Sequence, residues 1–95
     1  MNPKKVVRET TKKLTDLPNI GKSLAQDLKL IGIDTPLKLK GEDPYKLYQN
    51  LCKVTGTKHD PCVLDTFMSI IDFINGGEPK VWWSYTAERK EKYKI

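Results

Sequence analysis

Four of the six prolines follow a capping side chain: Asn2-Pro3, Thr35-Pro36, Asp43-Pro44 and Asp60-Pro61. An Asn, Thr or Asp oxygen accepts a hydrogen bond from a free amide of the first helical turn. Proline suits the next position, because its missing N–H would have no intrahelical partner there. Each pair leads into apolar residues at three- and four-residue spacing. Four such starts in 95 residues predict an all-α chain, and no strand pattern competes with them.

The periodicity predicts five helices. The first spans about Pro3 to Asp16, with Val7, Thr10, Leu14 and Leu17 inward and Lys5, Lys12 and Lys13 off that line. The second spans about Lys22 to Ile31, with Leu24, Ala25, Leu28 and Ile31 inward and Gly32 as a left-handed C-cap. A short third runs from Pro36 to Leu39. The fourth spans about Pro44 to Val54, with Leu47, Tyr48, Leu51 and Cys52 inward and Gly56 after it. The fifth, about Pro61 to Asn75, is apolar nearly all round, which predicts a central, buried helix. Val81-Trp82-Trp83-Ser84-Tyr85 follows and is expected to fold back and seal the core; a stacking platform for bases is the other use of such a block. The charged stretch Thr86 to Ile95 is expected to be a frayed helix or a tail. The chain thus reads as one compact five-helix domain over residues 1–86, with a charged tail over 87–95.

Between the first two helices lies Leu17-Pro18-Asn19-Ile20-Gly21-Lys22-Ser23. Leu17 and Ile20 are apolar pegs for a tight turn. Pro18 fixes φ and ends the preceding helix. Asn19 tolerates left-handed φ, and Gly21 allows positive φ and close approach of a ligand to the backbone. The amides of Ile20 to Ser23 open a helix, with the positive end of its dipole facing outward and Lys22 beside it.

Charge is distributed in the same sense. Residues 1–40 hold nine basic and four acidic side chains, whereas residues 41–95 hold eight of each. The whole net charge of +5 therefore lies in the half that carries the hairpin. That is the electrostatic footprint of a phosphate-facing surface. No stretch is apolar and long enough to cross a membrane, and the N-terminus lacks the apolar core of a signal peptide. With two cysteines, the chain is expected in the cytoplasm, with free thiols.

The hairpin resembles the Leu-Pro-Gly-Ile-Gly hairpin of helix-hairpin-helix DNA-binding proteins, with Asn19 in place of the third-position glycine. A wider pattern covers about residues 13 to 86. It includes Asp27-Leu28, Leu30-Ile31-Gly32-Ile33, Leu37, Leu39, Asp43-Pro44, Leu47-Tyr48, Leu51-Cys52, Asp60-Pro61-Cys62-Val63-Leu64, Phe67 and Trp82-Trp83. This pattern resembles the small bacterial helix-hairpin-helix family named for the clostridial pathogenicity locus. It is also similar to the C-terminal domain of bacterial competence regulators. The resemblance implies a compact SAM-like or helix-hairpin-helix domain of DNA-binding type, with no established reaction. It also implies that a monovalent cation can sit in such a hairpin on backbone carbonyls.

Cys52, His59 and Cys62 could supply three soft ligands to zinc, but the spacing is not a standard zinc pattern. Packing is the simpler use of both cysteines, although Cys62 at a helix start invites a lowered pKa. His59 is the only histidine, and no catalytic triad, phosphate-binding loop or paired catalytic carboxylates appear. Gly21-Lys22-Ser23 lacks the upstream glycine and strand of a nucleotide-binding loop. No metal, cofactor or enzymatic activity is expected.

These observations point to sequence-independent DNA binding. Pro18, Asn19, Ile20, Gly21, Lys22 and Ser23 would form the grip, flanked by Lys12, Lys13 and Lys29. One hairpin should bind at about 10⁻⁴ to 10⁻⁶ M at physiological salt, so a homodimer or a protein partner would be needed for tight binding. The alternative is a helical protein-interaction module using Trp82, Trp83 and Tyr85, with the hairpin as a connector.

Overall fold

The computed structural model describes residues 13–95. The expected start at Asn2-Pro3, most of the first helix, and Val7, Thr10, Lys5 and Lys12 lie outside the described residues. Within them the structure is all-helical. Four α-helices follow in order: α1 (Lys22–Leu30), α2 (Pro44–Thr55), α3 (Cys62–Ile74) and α4 (Thr86–Tyr93). Among the described residues a 3-10 turn at Leu14–Asp16 precedes α1, and two more, at Pro36–Leu39 and Trp82–Tyr85, link α1 to α2 and α3 to α4.

α3 is the axis of the fold, as its composition requires. Every residue from Leu64 to Ile71 is buried, and Leu64, Phe67 and Ile70 are wholly so. Around it pack Leu47, Tyr48 and Leu51 of α2, Ala25 and Leu28 of α1, and Leu39 and Tyr85 of two 3-10 turns. Burying a side chain the size of Phe67 contributes about 1.5–3 kcal/mol. The polar residues inside α3 are all bonded: Ser69 donates to the Thr66 carbonyl at 2.7 Å, and Thr66 to that of Cys62 at 3.1 Å.

Two helix starts follow the cap-and-proline logic. Asp43 Oδ1 accepts from the Tyr45 amide at 2.9 Å and opens α2. Asp60 Oδ1 accepts from the Cys62 amide at 2.9 Å and opens α3. Gly56, at φ +66°, closes α2 in the left-handed conformation. Thr35-Pro36 opens a 3-10 turn and its side chain makes no cap.

The approach to the hairpin differs from the expected long helix. Lys13 is extended (φ −110°, ψ 157°), so Leu14–Asp16 is a separate 3-10 turn. Two local effects hold it: Asp16 Oδ2 accepts from the Lys13 amide at 2.9 Å, and Pro18 keeps Leu17 extended.

The C-terminal stretch, expected as a frayed helix or a tail, is a helix over Thr86–Tyr93. Its fastening to α3 is the departure, with Arg89 only 6% exposed. Its Nε lies 2.7 Å from Asp65 Oδ1. Tyr93 also stacks on Tyr45 of α2, with ring centroids 4.9 Å apart.

The chain repeats one local device. A 3-10 turn (Leu14–Asp16) precedes a left-handed residue, Asn19 at φ +67°, and a helix starts three residues later at Lys22. The turn Pro36–Leu39 likewise precedes Gly41 at φ +79°, with a helix three residues later at Pro44. Both left-handed residues are tied to α3 or its end. Asn19 Nδ2 donates to Ser69 Oγ, and the Gly41 amide donates to Asn75 Oδ1.

Candidate nucleic-acid interface

The turn into α1 is held from below. Leu17, Pro18 and Ile20 are buried, Leu17 wholly and Ile20 to 1% exposure. Asn19 carries the left-handed φ that an ordinary side chain resists at about 1–2 kcal/mol. Its amide is turned inward, donating to Ser69 Oγ at 3.1 Å and to the Lys80 carbonyl at 2.8 Å. Asn19 therefore does not project freely over the turn. It staples the turn to α3 and to the segment before the tryptophans.

Gly21 behaves differently from expectation. Its φ is −96°, not positive, so Asn19 alone supplies the left-handed step. A Cβ at Gly21 would meet no atom within 4 Å. Neither backbone conformation nor internal space requires glycine here. As N-cap of α1, Gly21 has no side-chain oxygen, and no side chain caps the first turn. The amides at the start of α1 lack intrahelical partners and sit at the positive end of the helix dipole.

Gly21, Lys22 and Ser23 are all exposed. Lys29 is exposed on α1 seven residues after Lys22. Seven residues are close to two helical turns, so the two lysines share a face about 10 Å apart. Lys13 is exposed on the other side of the turn. Lys12 lies outside the described residues. Lys38 belongs to a different arrangement, an exposed pair with Asp34 at 2.8 Å. That hydrogen bond and charge hold the Asp34 carboxyl below its usual range.

The aromatic block divides between two roles. Tyr85, 8% exposed, seals the core, and its hydroxyl donates to Asp72 Oδ2 at 2.8 Å. Burial first, then that bond and charge, push its phenol above the usual tyrosine range. Trp83 does not seal the core: it is 61% exposed. Trp82 is half-buried and meets Trp83 edge-on, with centroids 5.5 Å apart. The sequence reads the block as a unit, core seal or stacking platform, because periodicity cannot say which aromatic of a 3-10 turn faces inward.

Cys52 and Cys62 are free, half-buried thiols. Cys52 Sγ accepts from the His59 amide at 3.4 Å, and the Tyr48 hydroxyl donates to the His59 carbonyl. The His59 ring meets Thr55 Oγ1 at 2.9 Å. The lowered pKa expected of Cys62 is overturned. Desolvation, followed by the neighbouring Asp60 and Asp65, pushes its thiol up. Among the described residues no three His, Cys, Asp or Glu side chains stand together as a metal-binding group. Nor is any described helix long and apolar enough to cross a membrane.

Comparison with known proteins agrees with the pattern of residues. The family described as Pathogenicity locus matches residues 7–91. The chain is also similar to the mitomycin resistance protein McrB of Streptomyces lavendulae. The two are 43% identical over 77 residues, covering 81% of this chain and 73% of that protein. No solved structure matches the chain.

Proposed function

The chain belongs to the pathogenicity-locus family, and we propose that it is a non-enzymatic helix-hairpin-helix module that grips the sugar-phosphate backbone of DNA. The observation that carries this reading is Gly21. It is a glycine the fold does not need, at the uncapped start of α1, between an inward-turned Asn19 and an exposed Lys22. A side chain there would cost the protein no internal space but would stand between the amides and an approaching anion.

On this reading the amides of Gly21 to Ser23 bond phosphate oxygens, and Lys22 adds a full charge. Lys29 and Lys13 meet neighbouring phosphates, with Lys12 adjoining Lys13 in sequence. Such contacts position a protein without reading bases. The second turn–helix unit, Pro36 to Thr55, takes the role of a pseudo-repeat that braces the first.

The test is fluorescence anisotropy with labelled DNA at two salt concentrations. Three phosphate contacts would give a slope of log affinity against log salt of about −2 to −3. Lys22→Glu should abolish most of the binding, and Gly21→Ala should weaken it in a protein that remains folded. Salt-independent binding, or binding indifferent to both substitutions, would sink the phosphate grip. The competing reading is a protein-interaction module, favoured by the exposed apolar side chains of Leu30, Leu37, Val54 and Trp83. It predicts binding that survives moderate salt.

A further inference from the structure

A cleft of about 420 Å³ lies between the hairpin and the tryptophans, lined by Asn19, Ile20, Gly21, Val81, Trp82 and Trp83. Its volume is in the range of ligand sites. No acidic side chain lines it, and the exposed Lys22 follows Gly21 directly.

The cleft is built rather than incidental. The Asn19 side chain donates to the Lys80 carbonyl at 2.8 Å, which ties the segment entering the tryptophans to the hairpin turn. Ser84 Oγ and the Ser84 amide both bond the Val81 carbonyl, at 2.8 and 3.1 Å, and fix the 3-10 turn that carries Trp83. Trp82 braces Trp83 edge-on at 87°. An indole that is 61% exposed is thus held in a set orientation beside the start of α1.

We propose that this cleft receives an unpaired nucleobase, so that the protein binds single-stranded DNA in preference to intact duplex. The inference rests on the phosphate grip proposed above and adds the form of DNA it selects. Charge favours a polyanion at this edge. The exposed indole face suits a flat aromatic group that would otherwise be in water. The faces of bases inside a duplex are already stacked and cannot enter the cleft, whereas every unpaired base offers one. Stacking of this kind is tolerant of sequence, which matches a grip that reads no base edges.

The experiment compares three labelled probes of one length in fluorescence anisotropy: a single strand, its duplex, and a strand of abasic sugars with the same phosphates. The wild-type chain should bind the single strand most tightly and quench its own tryptophan emission on doing so. Trp83→Ala should cost about 5-fold or more on the single strand and nothing on the abasic strand. Trp83→Phe should retain most of the affinity. Circular dichroism checks that both variants fold. Equal wild-type affinity for the normal and abasic strands would overturn the proposal. So would Trp83→Ala binding the single strand like wild type while Lys22→Glu weakens it; in that case the phosphate grip stands and the stacking falls. Binding indifferent to Lys22→Glu, or absent with every probe, would overturn the phosphate grip and this inference with it.

Discussion

Arg89 Nε lies 2.7 Å from Asp65 Oδ1, and both side chains are almost wholly withdrawn from water. The other carboxylate oxygen of Asp65 accepts from Thr86 Oγ1 at 2.7 Å. Arg89 Nη1 also donates to the Ile95 carbonyl at 2.6 Å. One acidic residue in the first turn of the most apolar helix thereby captures two residues of α4. Two buried charges this well bonded offset much of each other's desolvation, but neither is tolerable alone.

Arg89→Ala should therefore lower the unfolding free energy by about 3–5 kcal/mol, because it strands the Asp65 carboxylate in the core. Urea denaturation followed by circular dichroism measures it. Replacing both partners, as Asp65→Leu with Arg89→Met, should recover most of the loss, since a well-packed apolar pair avoids the desolvation cost. A loss below about 1 kcal/mol for the single variant would mean that water reaches Asp65.

Asn19 carries two burdens, a left-handed backbone and two side-chain hydrogen bonds. Asn19→Gly keeps the first and loses the second. Asn19→Ala loses both. The glycine variant should be destabilised by about 1–2 kcal/mol from the missing bonds. Alanine should cost about a further 1 kcal/mol for the positive φ. Equal stability of the two variants would show that the turn relaxes out of the left-handed region.

Tyr85 gives an alkaline signature. Its phenol ionises at a higher pH in the fold than in the unfolded chain, because of burial and then Asp72. A raised folded pKa contributes stability that is fully present below the unfolded value, about 10. That contribution is lost as pH rises through the folded value. Tyr85→Phe should cost about 1.5–3 kcal/mol near neutral pH, the worth of a hydrogen bond to a charged group. The gap between wild type and variant should narrow as pH is raised beyond about 10. A constant gap from pH 7 to 11 would contradict the assignment.

Cys62 should react slowly. Desolvation and two nearby carboxylates favour its neutral thiol, and the thiolate is the reactive form. In a Cys52→Ala background, alkylation by iodoacetamide at pH 7.5 should be slower in the folded protein than in urea. Faster reaction in the folded state would indicate a thiolate-stabilising site at the start of α3.

The helical class was legible because its signals are local. Asp43-Pro44 and Asp60-Pro61 each place a carboxylate within reach of amides two residues on, and that geometry needs no distant partner. Gly56 stops α2 for an equally local reason, its positive φ. The burial of α3 was legible because a helix without a polar face must lie inside. The hairpin pegs Leu17 and Ile20 were legible in the same way.

What surrounds the hairpin depends on residues far apart in the chain. Ser69 and Lys80 lie 50 and 61 positions from Asn19, and their bonds to it fix the direction of its amide. Arg89 is one charge among many in a stretch that reads as a frayed helix or a tail until Asp65, 24 residues earlier, faces it in the core. Trp82, Trp83 and Tyr85 are alike in composition, yet only the packing of their 3-10 turn on α3 buries Tyr85 and leaves Trp83 beside Gly21. Sequence alone determined where α1, α2 and α3 lie and which of their faces are apolar, since propensity, caps and periodicity act within a few residues. The tertiary structure decided which polar and aromatic side chains meet, because hydrogen bonds and burial act through space, and local sequence does not encode those distances.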